Sequence, residues 1–383
     1  MHRVLLFIAL LGGFLAAPQP AWAQTQATLD QTARFIAGLP QLQAESPYTV
    51  HQRSEQWQKH SRSIAAHWER FSRIRLAKME DWSADELQSA YDPSLTMLYP
   101  FSGPDFVSAH AFYPAAPRYI FFALEEIRPL PSLLELAPEA AYRTLRAVDR
   151  SLRDIYSKGY FITTHMSQDL EAPEEAALEA TGVVPVFMVF MARTGHELLE
   201  AQRVMVTPGG ELVPLAAAAP TQVNAIRFRF RDRDTARIQE LIYFSVNQHD
   251  EVLAEHPDYV RFLRSMGPTN TFMKAASYLL FGRTGEGFIT TRKIILERSQ
   301  TLFQDDSGMP LKYLGPESWD RQLYGKYTPP ISDFGASCYQ EDLEALYEET
   351  PRSQIKRLPF AMGYHIVGDK VQNHMFLTRK APR

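Results

Sequence analysis

Cysteine is almost absent from this chain, which holds one, Cys338, among its 383 residues. A lone cysteine excludes a disulfide within the chain, so stability has to come mainly from burial of apolar surface. An excess of basic charge is also missing, because 40 Lys and Arg residues face 44 Asp and Glu residues, for a formal net charge of -4. A dedicated nucleic-acid binder normally carries a basic excess or a clustered basic face. Nucleic acid is therefore not an expected partner.

A long hydrophobic run is also missing after residue 23. A membrane-spanning helix needs roughly 20 consecutive apolar residues, and the longest later run, Gly182 to Ala192, reaches about half of that and contains Pro185. Before residue 23, a basic start precedes the apolar stretch Val4 to Ala17, and Ala21-Trp22-Ala23 supplies a small-x-small end. This pattern predicts a signal peptide at residues 1 to 23, with no stable membrane anchor after its cleavage. We expect a soluble periplasmic or secreted protein.

The composition and the order of the predicted elements indicate a folded α+β protein. An apolar fraction of 45% is typical of globular chains. Residues 24 to 91 form a predicted helical N-terminal region, since Trp57, Ile64 and Phe71 share one helical stripe. In residues 92 to 383, strands come in adjacent pairs with helices grouped between them, which favours a mixed, mainly antiparallel sheet. This body is either one unit or two lobes, 92 to 222 and 223 to 383.

The pattern also predicts individual elements of the body. Alternating Phe and Arg residues near 226 to 231 indicate a half-buried strand. The apolar runs indicate strands at Arg118 to Leu124 and at 183 to 193. We further predict helices at Thr271 to Phe281 and Phe288 to Phe303, and a closing hairpin from residues 358 to 367 and 375 to 380.

Familiar catalytic motifs are missing as well, because the sequence contains no GxSxG, HExxH or CxxC pattern. Neither a metal site nor a particular cofactor is predicted. The most unusual string is Tyr99 to Phe106, in which Ser102-Gly103-Pro104-Asp105 predicts a tight turn. Asp105 either caps a short helix that carries His110 or serves as a base or ligand on a rigid turn.

A second string places Asp305 and Asp306 at the end of the helix predicted from Phe288. Two carboxylates at a helix C-terminus oppose the helix dipole, so the pair either lies in a solvated turn or is compensated by a cation or an arginine. Arg292 falls within the apolar stripe of the same helix. A charge there must be paired or reach water, either as a structural ion pair or as a binding group for a substrate anion.

Several segments of the chain resemble a group of exported bacterial proteins of uncharacterised function. The resemblance lies in YPFSGPDF, FYP and RYIFFALE between Tyr99 and Glu125, and in SYLL and QDDSGMPLKYL between Ser277 and Leu314. It implies a periplasmic or secreted protein of bacterial origin. It implies no catalytic residue.

Two functional hypotheses follow from the sequence. The first is a binding or interaction protein of the cell envelope, with an envelope ligand or protein as its unidentified partner. The second is an exported hydrolase whose carboxylates meet in one cleft and act as acid and base, which requires environments that split their pKa values. The candidate catalytic residues are Asp105, Asp305, Asp306 and His110, and the candidate substrate-binding residues are Arg292 and Ser102.

Overall fold

The computed structural model describes residues 26–129, 132–170, 182–215, 223–281, 287–365 and 374–380. The predicted signal peptide lies outside these residues, as does position 222, where the first of the two proposed lobes ends. In the described ranges, no helix has both the length and the apolar character that crossing a membrane would require.

The described residues contain α-helices along the whole chain. They are α1 (Gln26–Ile36), α2 (Tyr48–His51), α3 (Glu55–Phe71), α4 (Ala77–Trp82), α5 (Phe106–Phe112), α6 (Pro138–Ser151), α7 (Arg153–Lys158), α8 (Thr163–Leu170), α9 (Val184–Arg193), α10 (Asp250–Glu255), α11 (Pro257–Ser265), α12 (Ile289–Arg298) and α13 (Glu341–Glu349). Two π-helical segments, Ser72–Leu76 and Ser83–Leu87, continue α3 and α4. The helical N-terminal region expected from the sequence is confirmed from Gln26 onwards.

Ten strands of the described residues form one sheet. They are β1 (Thr96–Pro100), β2 (Arg118–Ala123), β3 (His196–Val206), β4 (Leu212–Pro214), β5 (Asn224–Asp232), β6 (Ile238–Ser245), β7 (Thr269–Met273), β8 (Ser299–Asp305), β9 (Trp319–Tyr324) and β10 (His374–Arg379). Their order is β4-β3-β5-β6-β2-β1-β7-β8-β10-β9. The five central strands, from β6 to β8, run parallel to one another.

The expected α+β class with a mixed sheet is confirmed. Five of the nine strand pairings in the described residues are antiparallel, and they lie on the two flanks of the sheet. Helices cover both faces of the centre. Tyr99 and Phe121 join a core with the N-terminal helices and α9, whereas Leu98 and Phe122 join a core with α11 and α12. The central strands are consequently buried on both sides, as parallel strands usually are.

The strand predicted at residues 183 to 193 is wrong, because this segment is helix α9. Every residue from Val184 to Ala192 is buried, so the run has no polar face from which a period could be read. A short buried helix and a short buried strand look alike in such a run. Pro185 in the first turn fits the helix, since a proline there has no hydrogen bond to lose.

Three other predicted elements are corrected. The helix predicted at Thr271 to Phe281 is β7 followed by a loop and a 3-10 turn, and the helix predicted at Phe288 to Phe303 ends at Arg298, where β8 begins. No strand occurs at residues 358 to 365 of the predicted hairpin, and its remaining two positions, 366 and 367, lie outside the described residues. The other half is strand β10, which pairs with β8 and β9.

Candidate functional site

The site lies where the parallel strands end. Strand β1 has β2, the next strand along the chain, on one side and β7 on the other side. The order of the strands therefore changes direction at β1. In open sheets of this kind, such a change of direction leaves a crevice outside the carboxyl ends of the strands, and ligands bind there. A cavity of about 500 Å³ is present at this place, lined by residues that follow β1, β2, β6 and β7.

A buried ion pair between Lys274 and Asp105 lies beside the cavity. The Lys274 ammonium lies 2.7 Å from Asp105 Oδ2, and both side chains are 1% exposed. Tyr99 donates its hydroxyl hydrogen to the same oxygen at 2.9 Å, and the main-chain N–H of Ser108 donates to Oδ1 at 3.2 Å. Asp105 therefore caps helix α5, as one reading of the sequence predicted, and also neutralises Lys274.

Lys274 belongs to the lining of the cavity, and its ammonium also donates to the main-chain carbonyl of Gly159. Burial lowers the pKa of Lys274, and the nearby Asp105 carboxylate opposes that shift. A second cation, Arg75, lies in the π-helical segment Ser72–Leu76 and donates to the carbonyls of Ile155 and Ser157. Burial lowers the pKa of Arg75 to about 10, again opposed by Asp105.

The loop after β7 has a strained backbone. Ala275, Ser277 and Tyr278 have φ values of 49°, 52° and 54°, in the left-handed region that non-glycine residues rarely adopt. The Tyr364 hydroxyl fixes this loop, because it donates to the carbonyl of Ala275 at 2.8 Å and accepts from the N–H of Ser277 at 3.0 Å. Strained residues of this kind persist only where the surroundings hold them, and they cluster at functional sites.

Asp305 and Asp306 lie at the end of strand β8, and not at the end of a helix as the sequence predicted. Asp305 accepts from the N–H of Ala275 at 2.9 Å and from the N–H of Ser307 at 3.0 Å. Asp306 accepts from the Tyr278 hydroxyl at 2.7 Å. Burial and the neighbouring Asp306 raise the pKa of Asp305 to about 6, against the effect of its hydrogen bonds. Both carboxyl groups thus hold the strained loop.

Two of the carboxyl groups proposed from the sequence contact adjacent residues of the cavity lining. Lys274 contacts Asp105, and the next residue, Ala275, contacts Asp305, so the two carboxyl groups flank one short stretch of chain. Neither belongs to the lining of the cavity, and neither does Asp306. Ser102 does line it, and the Ser102 hydroxyl is buried without a hydrogen-bond partner among the described residues.

Aromatic rings form a large part of the cavity wall. Seven aromatic residues contribute to the lining, and together they are called the aromatic wall: Tyr99, Phe101, Tyr160, Phe161, Phe288, Phe334 and Tyr364. Tyr364 links two of them, because its ring centroid lies 5.0 Å from that of Tyr160 and 4.7 Å from that of Phe334. Amide groups of Asn247 and Gln248 lie among the apolar side chains. A few polar groups in a mainly apolar wall are typical of pockets for small molecules.

Glu125 is the buried carboxyl group that lines the cavity directly. It follows β2 and is 5% exposed. Its oxygens accept from the hydroxyls of Thr163 at 2.7 Å and Tyr243 at 3.2 Å. Burial raises the pKa of Glu125, and these hydrogen bonds oppose the shift.

His110 lies in a different environment from the other candidate residues. It is on helix α5, with its ring centroid 4.6 Å from that of His196 and 5.4 Å from that of Phe106. Burial and the neighbouring His196 lower the pKa of His110 to about 3, and burial lowers that of His196 to about 4. Two uncharged imidazoles therefore form part of the packing between the sheet and the N-terminal layer.

Arg292 also lies away from the lining of the cavity. Its guanidinium packs over the Tyr313 ring, 4.7 Å from the centroid, and donates to the carbonyl of Leu280 at 3.1 Å. Leu280 follows the strained loop, so the contact braces the chain that leaves the site. Neither of these two partners is an anion, so the contacts are not the structural ion pair that the sequence predicted as one alternative.

Sequence reasoning missed Lys274 and Glu125. A signal was present for Glu125, the charged residue that ends the strongly apolar segment RYIFFALE, whereas Lys274 follows TNTFM, in which only Phe272 and Met273 are apolar. A charged residue after an apolar segment marks the end of a buried strand, where a parallel sheet presents its functional groups. The segment that contains Lys274 was interpreted as a helix.

Comparisons with models of known protein families, with curated proteins and with solved structures found no match for this chain. The site therefore has to be interpreted from its own geometry. Among the residues that the structure describes, no group of three or more His, Cys, Asp and Glu side chains is arranged to hold a metal ion.

Proposed function

We propose that this chain is an exported binding protein whose small-molecule ligand occupies the cavity at the carboxyl ends of β1, β2, β6 and β7. The observation that carries the proposal is the cavity itself, about 500 Å³ in volume with an aromatic wall and a buried lysine in its lining. Ligand pockets commonly measure about 300 to 1,000 Å³ and combine apolar walls with a few polar groups. Export is supported by the signal-peptide pattern of the sequence.

A matched pair of substitutions tests this proposal. Ser102→Leu adds bulk at a buried position of the lining, whereas Ser265→Leu makes the same change at an exposed position outside it. We expect a mixed set of aromatic fragments to yield binders of the wild-type protein in ligand-observed NMR. Ser102→Leu should weaken these binders at least about tenfold, because the larger side chain occupies part of the space that they need. Ser265→Leu should retain them.

Circular dichroism of both variants would show that the fold is preserved. If no fragment binds the wild-type protein, or if Ser102→Leu binds all of them as the wild type does, the cavity is not a ligand site and the proposal is wrong.

An exported hydrolase is the second candidate, favoured by the different environments of two carboxyl groups. Asp105 lies beside Lys274, whereas burial and Asp306 raise the pKa of Asp305 to about 6. A raised carboxyl pKa suits a general acid, but a reacting bond would have to reach groups that lie outside the cavity lining. Hydrolysis of nitrophenyl glycosides and esters would be assayed first. Any activity should fall at least about a hundredfold in Asp305→Asn, and retention of full activity would exclude this role.

A further inference from the structure

The Glu125 carboxyl group lacks a cationic partner in the described part of the chain. Both of its hydrogen-bonding partners, Thr163 and Tyr243, are neutral hydroxyls. A buried charge is costly unless a counter-charge or a metal compensates it. The cavity beside Glu125 is where a counter-charge could enter, since Glu125 is part of its lining.

The aromatic wall suits a positively charged ligand. Phe161 lies beside Gly103, which in turn approaches Glu125, so an aromatic ring and the carboxyl group share one corner of the cavity. Tyr160, Phe334 and Tyr364 continue the aromatic wall through their ring contacts. Aromatic faces attract cations through their quadrupole, and the attraction is stronger where water is excluded.

The other charged residues around the cavity also favour a positively charged ligand. Lys274 is part of the lining, but Asp105 neutralises it at 2.7 Å. Asp333 is a second acidic residue of the lining. Asp305 is outside the lining but accepts a hydrogen bond from the N–H of Ala275, which belongs to it. The lining thus holds two carboxyl groups and one cation, and Asp105 already neutralises that cation, which disfavours an anionic ligand and favours a cationic one.

We propose that the ligand of this cavity is an organic cation, an alkylammonium group held between the Glu125 carboxylate and the aromatic wall. This inference rests on the proposed function, because it names the chemical class of the ligand for the same cavity. The ammonium group replaces the missing counter-charge of Glu125, and its alkyl groups contact the rings.

Two probes of nearly the same shape test the inference. Choline carries a trimethylammonium group, and 3,3-dimethylbutan-1-ol is its neutral counterpart with carbon in place of nitrogen. We expect NMR titration of the full chain to show choline binding at least about tenfold more tightly than the neutral alcohol. Glu125→Gln keeps the shape of the side chain and should remove most of this preference. Glu126→Gln is the control, because Glu126 is the next residue, is 65% exposed and lies outside the lining.

The outcomes separate this inference from the proposed function. If the alcohol binds as tightly as choline, or if only neutral or anionic fragments bind the cavity, the cation inference is wrong while the binding function stands. If Glu125→Gln and Glu126→Gln weaken choline equally, the charge of Glu125 is not the determinant, and the inference is again wrong. If neither choline nor any fragment binds, both proposals fail.

Discussion

Replacing Lys274 by methionine should lower the free energy of unfolding by about 3 to 5 kcal/mol. The substitution keeps an unbranched side chain one atom shorter and removes the cation that lies 2.7 Å from Asp105. Asp105 is then a carboxylate with 1% exposure that keeps only the hydrogen bonds from Tyr99 and Ser108. Urea unfolding followed by circular dichroism would measure the loss.

A double variant and a surface control separate the charge effect from the loss of packing. Lys274→Met combined with Asp105→Asn should recover part of the stability, because no buried charge then lacks its partner. Lys380→Met removes an ion pair with Asp320 in which the side chains are 35% and 72% exposed. It should cost less than about 1 kcal/mol. A cost for Lys274→Met no larger than that of Lys380→Met would contradict the importance assigned to the buried pair.

Replacing His110 by phenylalanine should make the protein more resistant to acid. The folded pKa of His110 is lowered to about 3, below its usual 6.5, so the unfolded chain binds the proton first as the pH falls. The stability contributed by the neutral imidazole is therefore present above pH 6.5 and is lost as the pH falls towards the folded pKa, by about 1.4 kcal/mol for each pH unit. Phenylalanine keeps the ring and cannot take a proton.

The measurement compares free energies of unfolding at pH 7 and pH 4.5. His110→Phe should lose about 2 to 3 kcal/mol less than the wild type between these two values. Asp305 acts in the opposite direction, because its raised pKa stabilises the fold as the pH falls below about 6, so the wild-type change alone is not diagnostic. His67→Gln serves as the control, since its side chain is 55% exposed. Equal acid sensitivity of His110→Phe and wild type would sink the prediction.

The flanks of the sheet could be predicted from the sequence because their strands have one polar face. Arg227, Arg229 and Arg231 alternate with apolar residues along β5, and this period-2 pattern identified the strand. The central strand β7 has no such pattern, since all five of its residues are buried. A strand buried on both faces carries no periodic signal, and the sequence therefore predicts parts of two helices where β7 and β8 lie.

Only the part of the candidate site that depends on local sequence could be predicted. The turn at Ser102 to Asp105 could be recognised from local chemistry, and the cap on α5 is confirmed. The partners of these residues come from strands β2 and β7, far away in the sequence. Lys274 and Glu125 reach the site only through the order of strands in the sheet, which periodicity does not encode. His110 was placed in the site because it is near Asp105 in sequence, but the helix directs it to the packing layer around His196.

The position of strand β10 means that this sheet can be completed only after the β10 segment has been synthesised. β10 is the last described strand along the chain, yet it lies between β8 and β9, and its first residue, His374, pairs with Asp305. Until residues 374 to 379 have been synthesised, β8 and β9 lack the described strand that joins them. An exposed strand edge invites association with other chains. If β8 joins the sheet before β10 is made, its edge is therefore open to such association until β10 inserts.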